Sequence, residues 1–261
     1  MEISLKGRKA LVGGASRGLG KAIAQQLAES GATVTAMARN EEKLQSVVAS
    51  LPVEFGQEHQ YLTVDFTDFA KFEASVTAYF NNYDVDILVN NTNGPSAGGA
   101  LDKSIIDYQQ AFDLLFKTTV FLSTQALSGM RTRKYGRIIN LASVSVKEPL
   151  QNLVLSNSIR SAVATWAKTL SLDVASYGIT VNNILTGYFD TERLNEIYGV
   201  QASTNNMTVE EYKNKMKANI PARRFGDPSE FGSLVAFLAS GQAAYITGAN
   251  IPIDGGLLKS L

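Results

Sequence analysis

The chain has no cysteine among its 261 residues and only one histidine. Disulfides and thiolate metal sites are therefore excluded, and His59, set between Glu58 and Gln60, belongs to no cluster of metal ligands. Read alone it is a surface residue, and no metal is expected. Neither sign of charge prevails: 24 Lys and Arg balance 24 Asp and Glu, with no run of like charges. That balance removes the broad electrostatic footprint by which a protein binds nucleic acid or an anionic membrane, and makes a small molecule the expected partner. No apolar run approaches the roughly 20 residues that span a bilayer. The opening "MEISLKGRKALVGGAS" offers only a three-residue apolar stretch before its paired glycines. A soluble, cytoplasmic protein is expected.

What is present is an alternation. Apolar β-rich runs ("ALVGGA", "TVTAMA", "YLTVDF", "DILVNN") are separated by helical patterns over Lys21–Ser30, Glu41–Leu51 and Asp68–Phe80. Leu44, Val47, Val48 and Leu51 repeat at i, i+3, i+4, i+7, as one buried helix face does, and Phe69, Phe72, Val76 and Phe80 mark another. The second half continues with "GRIINLAS", a helix near Ser158–Tyr177, "GITVNNIL", and an irregular polar segment at about Arg193–Ala222. A helix then follows Asp227-Pro228-Ser229-Glu230, and a last strand lies near Ile251. Asp227 is placed to cap that helix, with Pro228 first and Glu230 third. At 45% apolar the chain fills one large core. The prediction is one α/β domain over 1–261: a Rossmann-type doubly wound, seven-stranded parallel sheet with helices on both faces. The polar segment at 193–222 reads as a lid over a site at the carboxyl ends of the strands.

"VGGASRGLG" follows the first strand and opens the first helix, so Gly14, Gly18 and Gly20 have the spacing of a phosphate-binding turn. Glycine there permits the tight turn and lets backbone approach a pyrophosphate that the helix N-terminus stabilises. Ser16, Arg17 and Leu19 complete the turn. NAD-selective folds place an acidic residue about 20 positions on, at the end of the second strand. Here that strand ends "AMARN", and Ala38 offers no carboxylate. Arg39 and Arg17 instead suit the bidentate pairing of a 2′-phosphate, which predicts NADP(H).

With these motifs in order, the chain resembles the short-chain dehydrogenase/reductase superfamily along nearly its whole length. The resemblance rests on "GGASRGLG", Asp65-Phe66, "LVNNTNG", "GRIINLASVS", "GITVNNILTGYFDTER" and "RRFGDPSEFGSLVAFLAS…AYITGANIPIDGG". The last block is especially similar to 3-oxoacyl-[acyl-carrier-protein] reductases. The resemblance implies a carbonyl or acyl-thioester substrate. It also implies adenine at Asp65 and Phe66, ribose at Asn91, and Phe189 and Thr191 near the nicotinamide. Homodimers or homotetramers are implied too, built through helices around 104–130 and 158–177 and the C-terminal strand and helix. Two loops depart from the family pattern: Asn90-Asn91-Thr92-Asn93, and Thr186-Gly187 for Pro-Gly.

The family's chemistry uses Asn, Ser, Tyr and Lys, and here the pattern breaks. Ser143 matches the serine, but the Y-x-x-x-K interval falls on Ser156 and Arg160, and the asparagine position falls near Phe116. None of the ten tyrosines is followed four residues later by lysine, so the pair is lacking throughout the chain. Ser156 and Arg160 still share one helix face. Arg160 can hold ribose hydroxyls; an aliphatic hydroxyl cannot replace the phenol as an acid near neutral pH. Three readings follow: a reductase with a remodelled centre whose proton comes from water, Ser143 or Tyr188; a catalytically inactive NADP(H)-binding sensor or regulatory subunit; or a structural partner of an active homologue. Ser143, Ser156 and Arg160 are the candidate catalytic residues.

Overall fold

The computed structural model describes residues 3–260. Seven parallel strands form one sheet in the order β3-β2-β1-β4-β5-β6-β7: β1 (Lys9–Gly13), β2 (Thr33–Ala38), β3 (Gln60–Thr63), β4 (Ile87–Asn90), β5 (Gly136–Leu141), β6 (Ile179–Thr186) and β7 (Asn250–Ile253). The apolar runs are buried on both faces because each strand serves two cores. In β1, Ala10 and Val12 enter one and Leu11 the other; in β4, Ile87 and Val89 are opposed by Leu88. The edges β3 and β7 alternate in burial instead.

One face is covered by α1 (Gly18–Glu29), α2 (Glu41–Ser50) and α9 (Pro228–Ala239); the other by α3 (Phe69–Phe80), α5 (Thr118–Arg133) and α6 (Val154–Val174). On α2, Leu44 and Val47 are buried as the spacing predicts. On α3, Phe72, Val76 and Tyr79 take the inner face, while Phe69 and Phe80 are only half-buried, a shift of one position from expectation. The helix α4 (Ile105–Phe112) runs through a π-helical turn at Asp113–Lys117 into α5. Asp227 and Glu230 form the anticipated capping box of α9, with Pro228 in its first turn.

Three expectations are corrected. The segment at 193–222 is not irregular: it folds as α7 (Glu192–Thr204) and α8 (Val209–Ala218), capped by Thr191 and Thr208, around buried Tyr198, Ile220 and Phe225. The helix carrying Ser156 begins at Val154, not Ser158. His59 is not a plain surface residue. Its Nδ1 accepts the Val34 N–H at 3.0 Å, and its Nε2 lies 2.8 Å from the Pro52 carbonyl, so it ties the turn before β3 to β2.

The chain adds strands outward from β1 to β3 and then returns to place β4 on the other side of β1. Such a switch opens a crevice at the carboxyl ends of the two central strands. There, Asn91 Nδ2 donates to the Gly13 carbonyl at 3.0 Å.

Candidate active site

The glycine turn occupies the β1 side of that crevice. Gly14 and Gly18 adopt φ of +60° and +54°, which L side chains rarely hold. At Gly20 an added Cβ would lie 2.2 Å from the Gly14 carbonyl oxygen. The turn and Arg17, the N-cap of α1, border a cavity of about 180 Å3 that is also lined by Arg39, Lys43 and Phe66, among others. Cations and a helix N-terminus meeting in one cavity suit an anionic ligand.

The predicted residues do not all face this cavity. Leu19 packs into the core beneath α1. Asp65 accepts from the Thr67 backbone N–H at 2.9 Å and hydroxyl at 2.7 Å, contacts that hold its carboxyl below the ordinary aspartate range. It shapes the loop that presents Phe66. The Phe189 side chain is buried against Phe231, ring centroids 5.3 Å apart, and belongs to the core. Thr191 Oγ1 accepts from the Leu194 N–H to cap α7, and its methyl lies 3.5 Å from where a Gly18 Cβ would be. The start of α7 therefore sits on the glycine turn. Arg17 is engaged from above: Nη1 and Nη2 donate to the Glu196 carboxylate at 2.5 and 3.4 Å, and Glu192 lies 3.6 Å from Nη1.

On the β5 side, Ser143 follows the strand, and its Oγ accepts from the Ser145 N–H at 3.1 Å, starting a turn at Val144–Val146. Ser156 and Arg160 are brought into contact one turn apart on α6. Arg160 Nε donates to Ser156 Oγ at 3.3 Å and Nη1 to the Leu141 carbonyl at 2.5 Å. Burial lowers the guanidinium to about 10, so it stays cationic at neutral pH. It lines a cavity of about 20 Å3 with Asn91, Thr92, Leu115 and Thr119, among others. Leu115, not Phe116, lines this cavity; Phe116 stacks on Phe112, centroids 5.0 Å apart. Tyr188, a candidate proton source in the sequence, packs with Tyr198, Tyr212 and Phe225 under α7 and α8, and burial raises its phenol pKa. It does not line the Arg160 cavity.

Residues 14–258 match the family described as enoyl-(acyl carrier protein) reductase. The chain belongs to the short-chain dehydrogenases/reductases. It is 34% identical to a 3-oxoacyl-[acyl-carrier-protein] reductase of Vibrio cholerae over 98% of this chain and 99% of that protein. An NADPH-dependent reductase of Bacillus subtilis, BacG, is 30% identical over 97% and 99% of the two chains. Among solved structures, L-sorbose reductase from Gluconobacter frateurii, complexed with NADPH and L-sorbose, superposes with a TM-score of 0.93 at 30% identity over the full length of both.

For a short-chain dehydrogenase/reductase, the structure adds residues the sequence reading missed. Lys43 joins Arg39 at the cavity because Asn40 caps α2 and turns its first helical residues back toward the end of β2; basic residues in "ARNEEK" were the available signal. Glu192 and Glu196 reach Arg17 across 175 or more residues of chain, which no local pattern encodes.

Proposed function

We propose that this chain is an NADP(H)-dependent reductase of carbonyl compounds, of the 3-oxoacyl-thioester type, working with an atypical centre in which Ser156 and Arg160 stand in place of the Tyr/Lys pair. The single observation that carries the reading is Arg160, held by the Leu141 carbonyl and Ser156 Oγ beside Asn91 and Thr92, where it can serve both ribose hydroxyls and a developing oxyanion. The residues present fit the dinucleotide. A Cβ at Gly20 would collide with the Gly14 carbonyl, so glycine keeps the turn tight, and Arg17, Arg39 and Lys43 offer cations to a 2′-phosphate where Ala38 offers no carboxylate to a 2′-hydroxyl. When bound, NADPH supplies the hydride.

Ser156 Oγ accepts from Arg160 and so keeps its own O–H to orient toward the substrate oxygen. Neither serine is acidic enough to give up its proton near neutral pH, and Tyr188 is committed elsewhere. The product alkoxide takes its proton from water, for which the cavity beside Arg160 has room. The hairpin α7–α8 acts as the lid over this crevice. The protein works as a homodimer or homotetramer.

A second reading, an inactive NADP(H) sensor or a regulatory or structural partner, is favoured by one fact: the lining of the Arg160 cavity includes no carboxylate, imidazole or phenol. The deciding experiment follows NADPH oxidation with short 3-oxoacyl thioesters and a carbonyl panel. Slow turnover is expected for the wild type. Ser156→Tyr with Arg160→Lys should be faster by about 10²-fold or more, the scale of a general acid. Tight NADPH binding with no wild-type turnover selects the second reading.

A further inference from the structure

Arg17 carries two claims. The residue lines the cavity shared with Arg39 and Lys43, and its guanidinium is forked onto Glu196 of α7. A guanidinium presents its donors in a fixed planar fork that pairs bidentately with a carboxylate or a phosphate, so the N–H groups engaged by one are lost to the other. The Arg17 side chain is one-third exposed and that of Glu196 one-half, so the carboxylate can be exchanged for a better anion at little cost. Glu196 is moreover the nearer of the two carboxylates that tie the hairpin to the glycine turn by charge, Glu192 lying 3.6 Å from the same Nη1, while Thr191, the cap of α7, brings only its methyl and Cβ toward Gly18. The inner side of the hairpin is held by apolar packing, Tyr198 of α7 lying against Ile220 and Phe225 beyond α8.

We propose that Glu196 is a specificity-determining latch. It fastens α7 to Arg17, and the 2′-phosphate of NADP(H) displaces it, so that phosphate binding and release of α7 are one event. The inference rests on the NADP(H) reading above. It makes the extra phosphate a signal to the lid as well as an anchor. NADH, lacking that phosphate, leaves the latch closed.

The test uses the full-length protein, as wild type and as Glu196→Gln, titrated calorimetrically with NADPH and NADH at low salt. Loss of the latch should tighten NADPH two- to five-fold, about the range of an exposed ion pair, and leave NADH unchanged. Glu192→Gln, which removes the more distant carboxylate, should give a smaller change of the same sign. In the wild type, amide exchange over Glu192–Thr204 should quicken with NADPH but not with NADH. In Glu196→Gln it should be quick before any cofactor is added. If the wild type binds NADPH and Glu196→Gln binds it no better, Arg39 and Lys43 hold the phosphate without Arg17 and the latch is wrong. If NADPH tightens but leaves wild-type exchange over α7 unchanged, the effect is one of general charge, and the latch is again wrong. A wild type that binds neither dinucleotide overturns the cofactor reading itself.

Discussion

Gly20 and Gly199 separate two uses of glycine. At Gly20 the backbone of Gly14 approaches so closely that a methyl would overlap its carbonyl, 2.2 Å away, so alanine must force the turn open. Gly20→Ala should lower stability by about 3 kcal/mol, the upper end of overpacking, and weaken NADPH more than tenfold. Gly199, inside α7, has nothing within 4 Å of an added Cβ. Gly199→Ala should raise stability by about 0.5–1 kcal/mol through helix propensity alone. Thermal melts and cofactor titration of the two variants check both outcomes. Gly20 was legible in the sequence, because a glycine turn between a strand and a helix has a local signature; Gly199, in a segment without an evident helical pattern, was not. The Ser156–Arg160 contact was legible too, since it needs only one helical turn. The true place of Phe189 and the partners of Arg17 were not, since both are set by elements distant in the chain.

At the scale of elements, β4 to β7 are tied by side chains as well as by backbone. Asn90, Asn140, Asn183 and Asn250 stand opposite one another in the strand register. Each Nδ2 donates to the next Oδ1, at 2.8, 2.9 and 2.8 Å. Asn140 and Asn183 are 2% and 1% exposed, so truncating either strands buried polar partners. Asn140→Val should cost about 2–3 kcal/mol, because both of its neighbours are buried. Asn183→Val should cost less, because water can satisfy Asn250 at the edge; urea unfolding will rank them. The sequence shows the asparagines but not their alignment, which depends on pairing strands more than 40 residues apart. The capping box of α9, by contrast, was readable as four consecutive residues, and it carries a pH dependence. Arg224 and the Asp227 N–H hold the Glu230 carboxyl down to about 2. A depressed folded pKa stabilises above the unfolded value of about 4.3 and is lost as pH falls from there toward 2. Glu230→Gln should therefore flatten the decline in stability between pH 5 and 3, measured by urea unfolding.

For the whole molecule, the alternating rhythm was enough to foretell a parallel sheet with two helical faces, because every central strand must bury both of its sides. The rhythm could not reveal the hairpin at 192–218, whose helices bury few residues and rely on caps at Thr191 and Thr208. Nor could it say which apolar residues stay outside. Leu101, Ile105 and Ile106, before and within the first turn of α4, are 101%, 84% and 69% exposed, and Leu172 on α6 is 71% exposed. These segments are the ones through which assembly is proposed. A second copy would take such side chains out of water, each worth about 1.5–3 kcal/mol when fully buried. The chain's zero formal net charge offers little long-range repulsion to oppose the approach. Light scattering at micromolar concentration should accordingly give a dimer or tetramer, and Ile106→Glu should shift it toward the monomer without changing the far-UV circular dichroism. A wild-type monomer under those conditions would remove both the assembly and the structural-partner reading that depends on it.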